Sequence, residues 1–370
     1  MKAIFFIYWL IMPFYLFPSG QMQIGDIVLS FGIVVFFSSN LLKNKPLFAK
    51  RDASLVVFVA LVLLINSLYF LLYRQYSTFM RSTMFYFFNL FLVIIFRDLS
   101  VDKKFVRNLF YLCRINLVVQ MLLYITGLAG DGRSRYIGTL NNPNQFAYFI
   151  FASFIVMYVL SVSGKYSVKI RPYDYAIVVY LIVASASMGV FGGAMILIVA
   201  NLVFTIPKRK LPGVLISLAA GSAIVVAVLG VDYFNDLFIA GRIEDREGMT
   251  IRGYFEDRSL DRVYEYPRYL LFGAGEGAHR RFRYPRAPEM HSTIFSIWFY
   301  YGIIPFIIWL SWIKGNLKKM DMRYLPVVIA MLIDAMGRIT QRQPFLWVIF
   351  ILIYVCNNSK EEKAVSVSEN

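Results

Sequence analysis

The chain has 370 residues, 59% of them hydrophobic and 16% charged, with a mean hydropathy of +0.61 and a net charge of +16. A soluble domain is nearer half apolar and about a quarter charged. The apolar residues also come in long uncharged runs rather than alternating with a helix or strand period. The composition excludes an aqueous globular protein and predicts an all-α polytopic membrane protein.

In chain order, twelve candidate spans lie near 3–18, 24–41, 54–73, 79–96, 105–127, 144–162, 173–188, 190–206, 211–230, 294–313, 323–338 and 341–357. Each approaches the ~20 apolar residues that cross a bilayer. The first is followed by FPSGQMQ, with no small-residue cleavage site, and is expected to be an uncleaved helix. The pair around Ser187–Gly193 is close enough to form a single long span instead. The expected organisation is nine helices in 1–230, one large outer segment at 231–290, three helices in 291–357 and a polar tail at 358–370.

Lysine and arginine orient the chain. Alternate loops carry clusters such as Lys43, Lys45, Lys50 and Arg51, or Lys314, Lys318, Lys319 and Arg323. The loops of the other side carry arginine alone. By the positive-inside rule the lysine-rich side is cytoplasmic, with both termini there. The basic excess is then a consequence of topology, and no nucleic-acid partner is implied.

The outer segment bears Arg242, Arg246, Arg252, Arg258, Arg262, Arg268, Arg280, Arg281, Arg283 and Arg286 and not one lysine. Guanidinium is the planar, bidentate partner of phosphate and carboxylate, so an anionic ligand at the outer boundary is expected. Acids in the same loop offer the plainer alternative of local ion pairs. GAGEG (Gly273–Gly277) lacks the Lys-Ser/Thr of a nucleotide cradle and a preceding strand; it is expected to be a flexible turn letting the chain re-enter the membrane. No metal site is expected, because the only two histidines, His279 and His291, are twelve residues apart with no cysteine near them.

His291 precedes Ser292 and Thr293 at the start of a span, where a helix N-terminus fixes its backbone. It can titrate near neutral pH and is the candidate general base, an interfacial cap being the alternative. His279, mid-loop among arginines, is expected to have no anchor. A second outer stretch, GDGRSRYIGTLNNPNQFAYF, places amides and an arginine at a helix start, a ready site for an anion or a sugar. Cys113 and Cys356 lie in or at the end of spans, so no disulfide is expected.

The element R-x-x-G-x-x-N-x-P-N (Arg135 to Asn144), the late outer segment reading YLLFGAGEG, and HSTIFSIWFYYGIIPF entering the next span together resemble the O-antigen polymerase and O-antigen ligase superfamily (Wzy and WaaL types). The resemblance runs over roughly 130–312. It implies a GT-C-like helical glycosyltransferase using an undecaprenyl diphosphate-linked oligosaccharide at the periplasmic face of a bacterial inner membrane, without nucleotide, metal or other cofactor. It also implies lipid contacts and a chain-length regulator protein as a partner. Carried over by position, Arg135 and Asn144 match the first element, Arg262 and Gly273–Gly277 the late loop, and His291 the catalytic histidine; the Arg280, Arg281 and Arg283 cluster is a further candidate to contact diphosphate or glycan. The family often has a Ser-Arg pair after the seventh span. Here Met188 and Gly189 stand there, leaving Arg74, Arg81, Arg338 and Arg342 as candidates to supply the guanidinium.

The chemistry suits such a site. The leaving diphosphate gains charge, which preorganised guanidinium groups stabilise. The attacking hydroxyl needs only base assistance, worth ~10²–10⁴ in rate. Within this chemistry a polymerase of repeat units is preferred over a ligase acting on lipid A core. A flippase or anion carrier is the rival class, but the spans show no obvious internal repeat and few charges, Arg114 and Asp334 being the main exceptions.

Overall fold

The computed structural model describes residues 1–44, 46–74, 76–130, 135–205, 209, 248–282 and 289–358. The expected span at 211–230, the outer residues 231–247, Arg283, Arg286 and the tail after 358 lie outside the described residues. The described chain is helical, with no strand in it.

The helices are α1 (Lys2–Ile11), α2 (Ile24–Leu42), α3 (Ala53–Tyr73), α4 (Tyr76–Leu99), α5 (Lys103–Thr126), α6 (Pro143–Ser163), α7 (Pro172–Ser185) and α8 (Met188–Thr205). The outer segment then gives three short helices, α9 (Ile251–Asp257), α10 (Arg262–Glu265) and α11 (Arg268–Phe272). The chain closes with α12 (Thr293–Tyr301), α13 (Ile303–Leu317), α14 (Leu325–Gly337) and α15 (Pro344–Asn358). Six helices, α2 to α6 and α8, are long and apolar enough to cross a membrane. The shorter apolar helices include α1, α7, α13 and α15. This is a helical membrane protein.

Several boundaries differ from those read in the sequence, for local reasons. The span at 3–18 is helical only to Ile11, since Pro13 lacks a donor and the chain beyond it is held extended by the Gln23 side chain, which accepts from the Leu16 and Phe17 amides at 3.0 Å. The span at 294–313 is two helices, broken at Gly302 with φ +79°, where a Cβ would sit 2.5 Å from the Leu271 carbonyl oxygen. The pair at 173–188 and 190–206 is two packed helices, as the span count has it and not the single long span of the alternative, parted at Ala186 (φ +48°).

Two helices form the centre. In α6 94% of the apolar window is buried, against 17% in α2, so α6 is interior and α2 faces outward. α15 packs on α6 and is buried along nearly its whole length. α6 is set by local chemistry at both ends: Asn142 Oδ1 accepts from the Gln145 amide at 2.8 Å, Pro143 takes the first turn, and Gly164 ends it at φ +68°. In lipid, close packing rather than the hydrophobic effect draws helices together. Gly193 of α8 serves that purpose, its Cβ position lying 2.8 Å from the Phe151 ring of α6 and 3.3 Å from the Ala330 carbonyl of α14.

Candidate functional site

The Gly-rich stretch is a packed wedge rather than a flexible turn. The Ala274 and Gly275 amides donate to the Tyr300 carbonyl at 3.0 and 2.8 Å, satisfying an acceptor that the end of α12 leaves open. On its other side Tyr69 Oη donates to the Gly273 carbonyl at 2.9 Å, and the Glu276 amide donates to Asn66 Oδ1 at 2.8 Å. A Cβ at Gly275 (φ +68°) would meet the Tyr69 ring at 2.8 Å, and one at Gly277 would meet the Phe79 amide nitrogen at 2.9 Å. Glycine is required by the closeness of α3, α4 and α12.

This wedge carries Glu276 into the protein, fully buried. Its Oε1 accepts from Arg342 Nε at 2.9 Å and Nη2 at 2.7 Å, and its Oε2 accepts from Tyr301 Oη. Arg342, in the α14–α15 loop, also holds Glu289 at 3.2 Å. Glu289 in turn meets His279 Nε2 at 3.4 Å, and His279 Nδ1 lies 3.3 Å from Tyr300 Oη. Burial alone would raise the Glu289 carboxyl, but Arg342 and His279 outweigh it and hold it well below the usual carboxylate range. Burial would likewise lower Arg342, but Glu276 and Glu289 outweigh it and keep its guanidinium charged. His279 is therefore anchored, contrary to the expectation for a mid-loop residue.

Above this network opens a cavity of about 1330 Å³. Arg81, Arg258, Arg338, Arg342, His279, Glu289 and His291 line it, with Asn142, Asn144, Gln145 and Gln343. The end of α14 organises one wall: the Ala335 carbonyl accepts from Ser292 Oγ at 3.1 Å, the Arg338 carbonyl from Thr293 Oγ1 at 2.7 Å, and the Gly337 carbonyl from Arg258. The His291 amide donates to the Arg258 carbonyl at 2.9 Å, so the loop is stapled to α14 on both sides of the histidine. Burial first, and Arg258 second, push the His291 imidazole below its ordinary value. The neutral form, able to accept a proton, is favoured. Arg286, five residues before His291 in the sequence, lies outside the described residues, and burial with Arg258 supplies the effect.

Arg338 lines the cavity together with Ser187, Met188 and Gly189 at the start of α8. It pairs with Asp334 at 3.1 Å, donates to Ser187 Oγ at 2.7 Å and reaches the Asn144 carbonyl. Arg135 donates to Asn144 Oδ1 at 3.1 Å and to the Ser185 carbonyl at 3.0 Å, so the first motif's arginine and asparagine meet. Asn144 lines the cavity; Arg135 stands behind it.

Four further candidates lie away from the lining. Arg262 is fully buried, stacked 5.0 Å from the Phe282 ring and donating to Tyr300 Oη at 3.4 Å. Arg281 sits among Tyr69, Tyr73, Phe79 and Phe282, its guanidinium 4.5–5.6 Å from the ring centroids, and bonds the Ala274 and Gly275 carbonyls. It clamps the wedge. Arg280 is exposed, and Arg74 caps α3 in the left-handed region. Arg283 lies outside the described residues.

Arg81 differs from the other cavity arginines. It is exposed, and no ion pair or hydrogen bond ties it to another described residue. One and two turns along the same face of α4, Phe85 and Phe88 also line the cavity, with Ile33 and Val34 of α2 opposite. Asp26 and Ser30 of α2 and Ser82 of α4 line it too, so the site joins an arginine-rich mouth, which also holds Glu289 and Asp334, to a largely apolar cleft between α2 and α4. The sequence reading missed Glu276 and Glu289, although they are the only two acids between Glu265 and Thr293. That scarcity was the one signal available.

No protein-family model matches this sequence, and no curated protein matches it.

Proposed function

We propose that the protein is an O-antigen or capsular polysaccharide polymerase, a GT-C-like glycosyltransferase of a bacterial inner membrane. It moves glycan from an undecaprenyl diphosphate-linked donor to a sugar hydroxyl of a lipid-linked repeat unit at the periplasmic face. Twelve spans with cytoplasmic termini belong to this reading.

The observation that carries it is the continuity of one cavity from unpaired Arg81 to the Phe85–Phe88 stripe on a single face of α4. A ligand with an anionic diphosphate between a sugar and a hydrocarbon tail matches that sequence of surfaces. Arg81 and Arg338 stabilise the departing diphosphate, as preorganised guanidinium groups in a partly dry site do. His291 takes the proton of the acceptor hydroxyl, and the oxygen so freed forms the new bond to the anomeric carbon as the diphosphate leaves. Asn142, Asn144, Gln145 and Gln343 offer amides to sugar hydroxyls.

A transporter needs charged or polar groups along a path. Among the in-span charges, Arg114 is held by Asp174 at 2.7 Å and Asp334 by Arg338 at 3.1 Å, which argues for structural roles for these pairs. The ligase reading shares the site chemistry, and surface polysaccharide from a deletion strain separates the two. Core carrying one repeat unit supports the polymerase; bare core would make the protein a ligase, and unchanged long chains would remove both.

A further inference from the structure

The helix that leads into the wedge turns its apolar side chains outward. In α11, Leu271 is 59% and Phe272 76% exposed, while the residues that follow, Gly273 to Ala278, are buried. Depth decides whether the two side chains face water or lipid, and two helices packed on each other, α3 and α13, measure it independently. α3 has Lys50 and Arg51 before it and Arg74 after it, so its ends mark the two faces of the hydrocarbon layer. Its 21 residues rise about 31 Å, close to the ~30 Å thickness of that layer. Tyr69 lies five residues short of Arg74, roughly 7 Å inside the boundary. The wedge is level with it: Tyr69 Oη donates to the Gly273 carbonyl at 2.9 Å, and a Cβ at Gly275 would lie 2.9 Å from the Tyr69 Cβ.

α13 gives the same answer. Lys314, Lys318 and Lys319 stand at its far end, and its 15 residues rise only about 22 Å, so its start at Ile303 stops about 8 Å short of the other face. Gly302, just before that start, touches α11 directly, a Cβ there falling 2.5 Å from the Leu271 carbonyl oxygen. Tilt of either helix would set both levels deeper. Leu271 and Phe272 also continue an outward apolar surface, since Ile304 and Ile307, one turn apart near the start of α13, are exposed. Arg268, four residues before Phe272 and so on the same face of α11, is exposed, with its guanidinium 5.0 Å from the Tyr269 ring centroid. A cation one turn from an apolar tip can reach the headgroups while the tip lies among acyl chains.

We propose that the tip of α11 inserts into the bilayer, with Leu271 and Phe272 against the acyl chains of the leaflet on the Arg74 side and Arg268 at its headgroups. The stretch that follows is then re-entrant: Gly273 to Ala278 lie within the hydrocarbon layer, covered by α3, α4 and α12. Irregular backbone is tolerated at that depth where protein encloses it, and these residues are buried. Glu276, which Arg342 neutralises, is thereby held below the membrane surface. The proposal needs neither the glycosyl-transfer reading nor the orientation of the chain.

The test is electron paramagnetic resonance of the full-length protein in phosphatidylcholine liposomes, with a nitroxide attached at Leu271→Cys or, separately, Phe272→Cys. Cys113 and Cys356 are buried, which favours labelling of the introduced thiol. At both positions collisions with oxygen should exceed those with a water-soluble nickel chelate, as at Ile304→Cys, at a depth of about 5–10 Å. Arg252→Cys, whose side chain is 83% exposed on α9, is the aqueous reference and should show the reverse order. Nickel-dominated collisions at 271 and 272 would overturn the proposal by placing the tip in water. Weak collisions with both reagents would overturn it by showing the patch covered by protein. Dipolar broadening between labels that fades on dilution with unlabelled protein would overturn it by assigning the patch to a second copy of the chain.

Discussion

Arg342 grips Glu276 through both Nε and Nη2, at 2.9 and 2.7 Å, and the carboxylate it holds is fully buried. The same guanidinium reaches Glu289, so one side chain from the α14–α15 loop ties together the wedge at 273–277 and the segment that leads into α12. With both carboxylates engaged, Arg342 acts on the ligand through the shape it gives the cavity.

Removing Arg342 should therefore be a stability defect first. Arg342→Met leaves Glu276 as an uncompensated buried charge, at a cost of about 3–5 kcal/mol. Adding Glu276→Gln should restore part of that loss. Thermal melting in detergent checks this, and a fully stable Arg342→Met protein would show the pair to be incidental.

Glycine in the wedge should be irreplaceable. Gly275→Ala drives a Cβ into the Tyr69 ring in a left-handed backbone, and Gly277→Ala drives one onto the Phe79 amide. Overpacking of this kind costs about 1–3 kcal/mol and left-handed strain adds a further amount of order 1 kcal/mol. Protein yield and melting temperature should both drop, more for Gly275→Ala.

The two arginine classes should separate in opposite assays. Arg81→Lys should leave the melting temperature unchanged and cost about 2–4 kcal/mol of transition-state binding, a fall of roughly 30- to 1000-fold in polymerisation. Arg262→Lys and Arg281→Lys should instead lower the melting temperature, because their guanidinium groups are enclosed by aromatic rings and carbonyls. Normal polymer length in Arg81→Lys would remove it from the site.

On the proposed reading His291 sets the acid limit of activity, its neutral form being the base, and burial with Arg258 moves its titration below the ordinary 6.5. Activity should therefore persist at pH 6.5 and fall only at lower pH, as the imidazole gains its proton. Arg258→Gln removes the second of the lowering causes and should shift that limb to higher pH, while burial and Arg338 keep part of the depression. His291→Ala should abolish polymer with the protein still in the membrane. Because Glu289 and Tyr300 anchor His279, His279→Ala should loosen the site rather than be neutral, lowering both stability and rate.

The long interior helices were legible because bilayer-length apolar runs carry their own signal, and α3 to α6 begin and end within a few residues of the runs that predict them. The break at Gly302 was not, since a hydropathy run passes over a glycine whose role depends on Leu271 and Phe272 beside it. Arg135 beside Asn144 was readable from local spacing. The Glu276–Arg342 and Glu289–Arg342 pairs join residues 66 and 53 apart in the chain, a separation that leaves no periodic trace. For the same reason arginine type alone did not distinguish Arg281, which clamps the wedge, from Arg81, which faces open space.

The central claim is glycosyl transfer from a lipid diphosphate without nucleotide or metal. Its most direct test places the purified full-length protein in liposomes with undecaprenyl diphosphate-linked repeat unit as sole substrate and a chelator present. The account predicts a stepwise glycan ladder, one undecaprenyl diphosphate released per bond formed, and neither product with His291→Ala. An unchanged donor with the wild-type protein, or movement of intact donor across the bilayer with no new glycosidic bond, would contradict it.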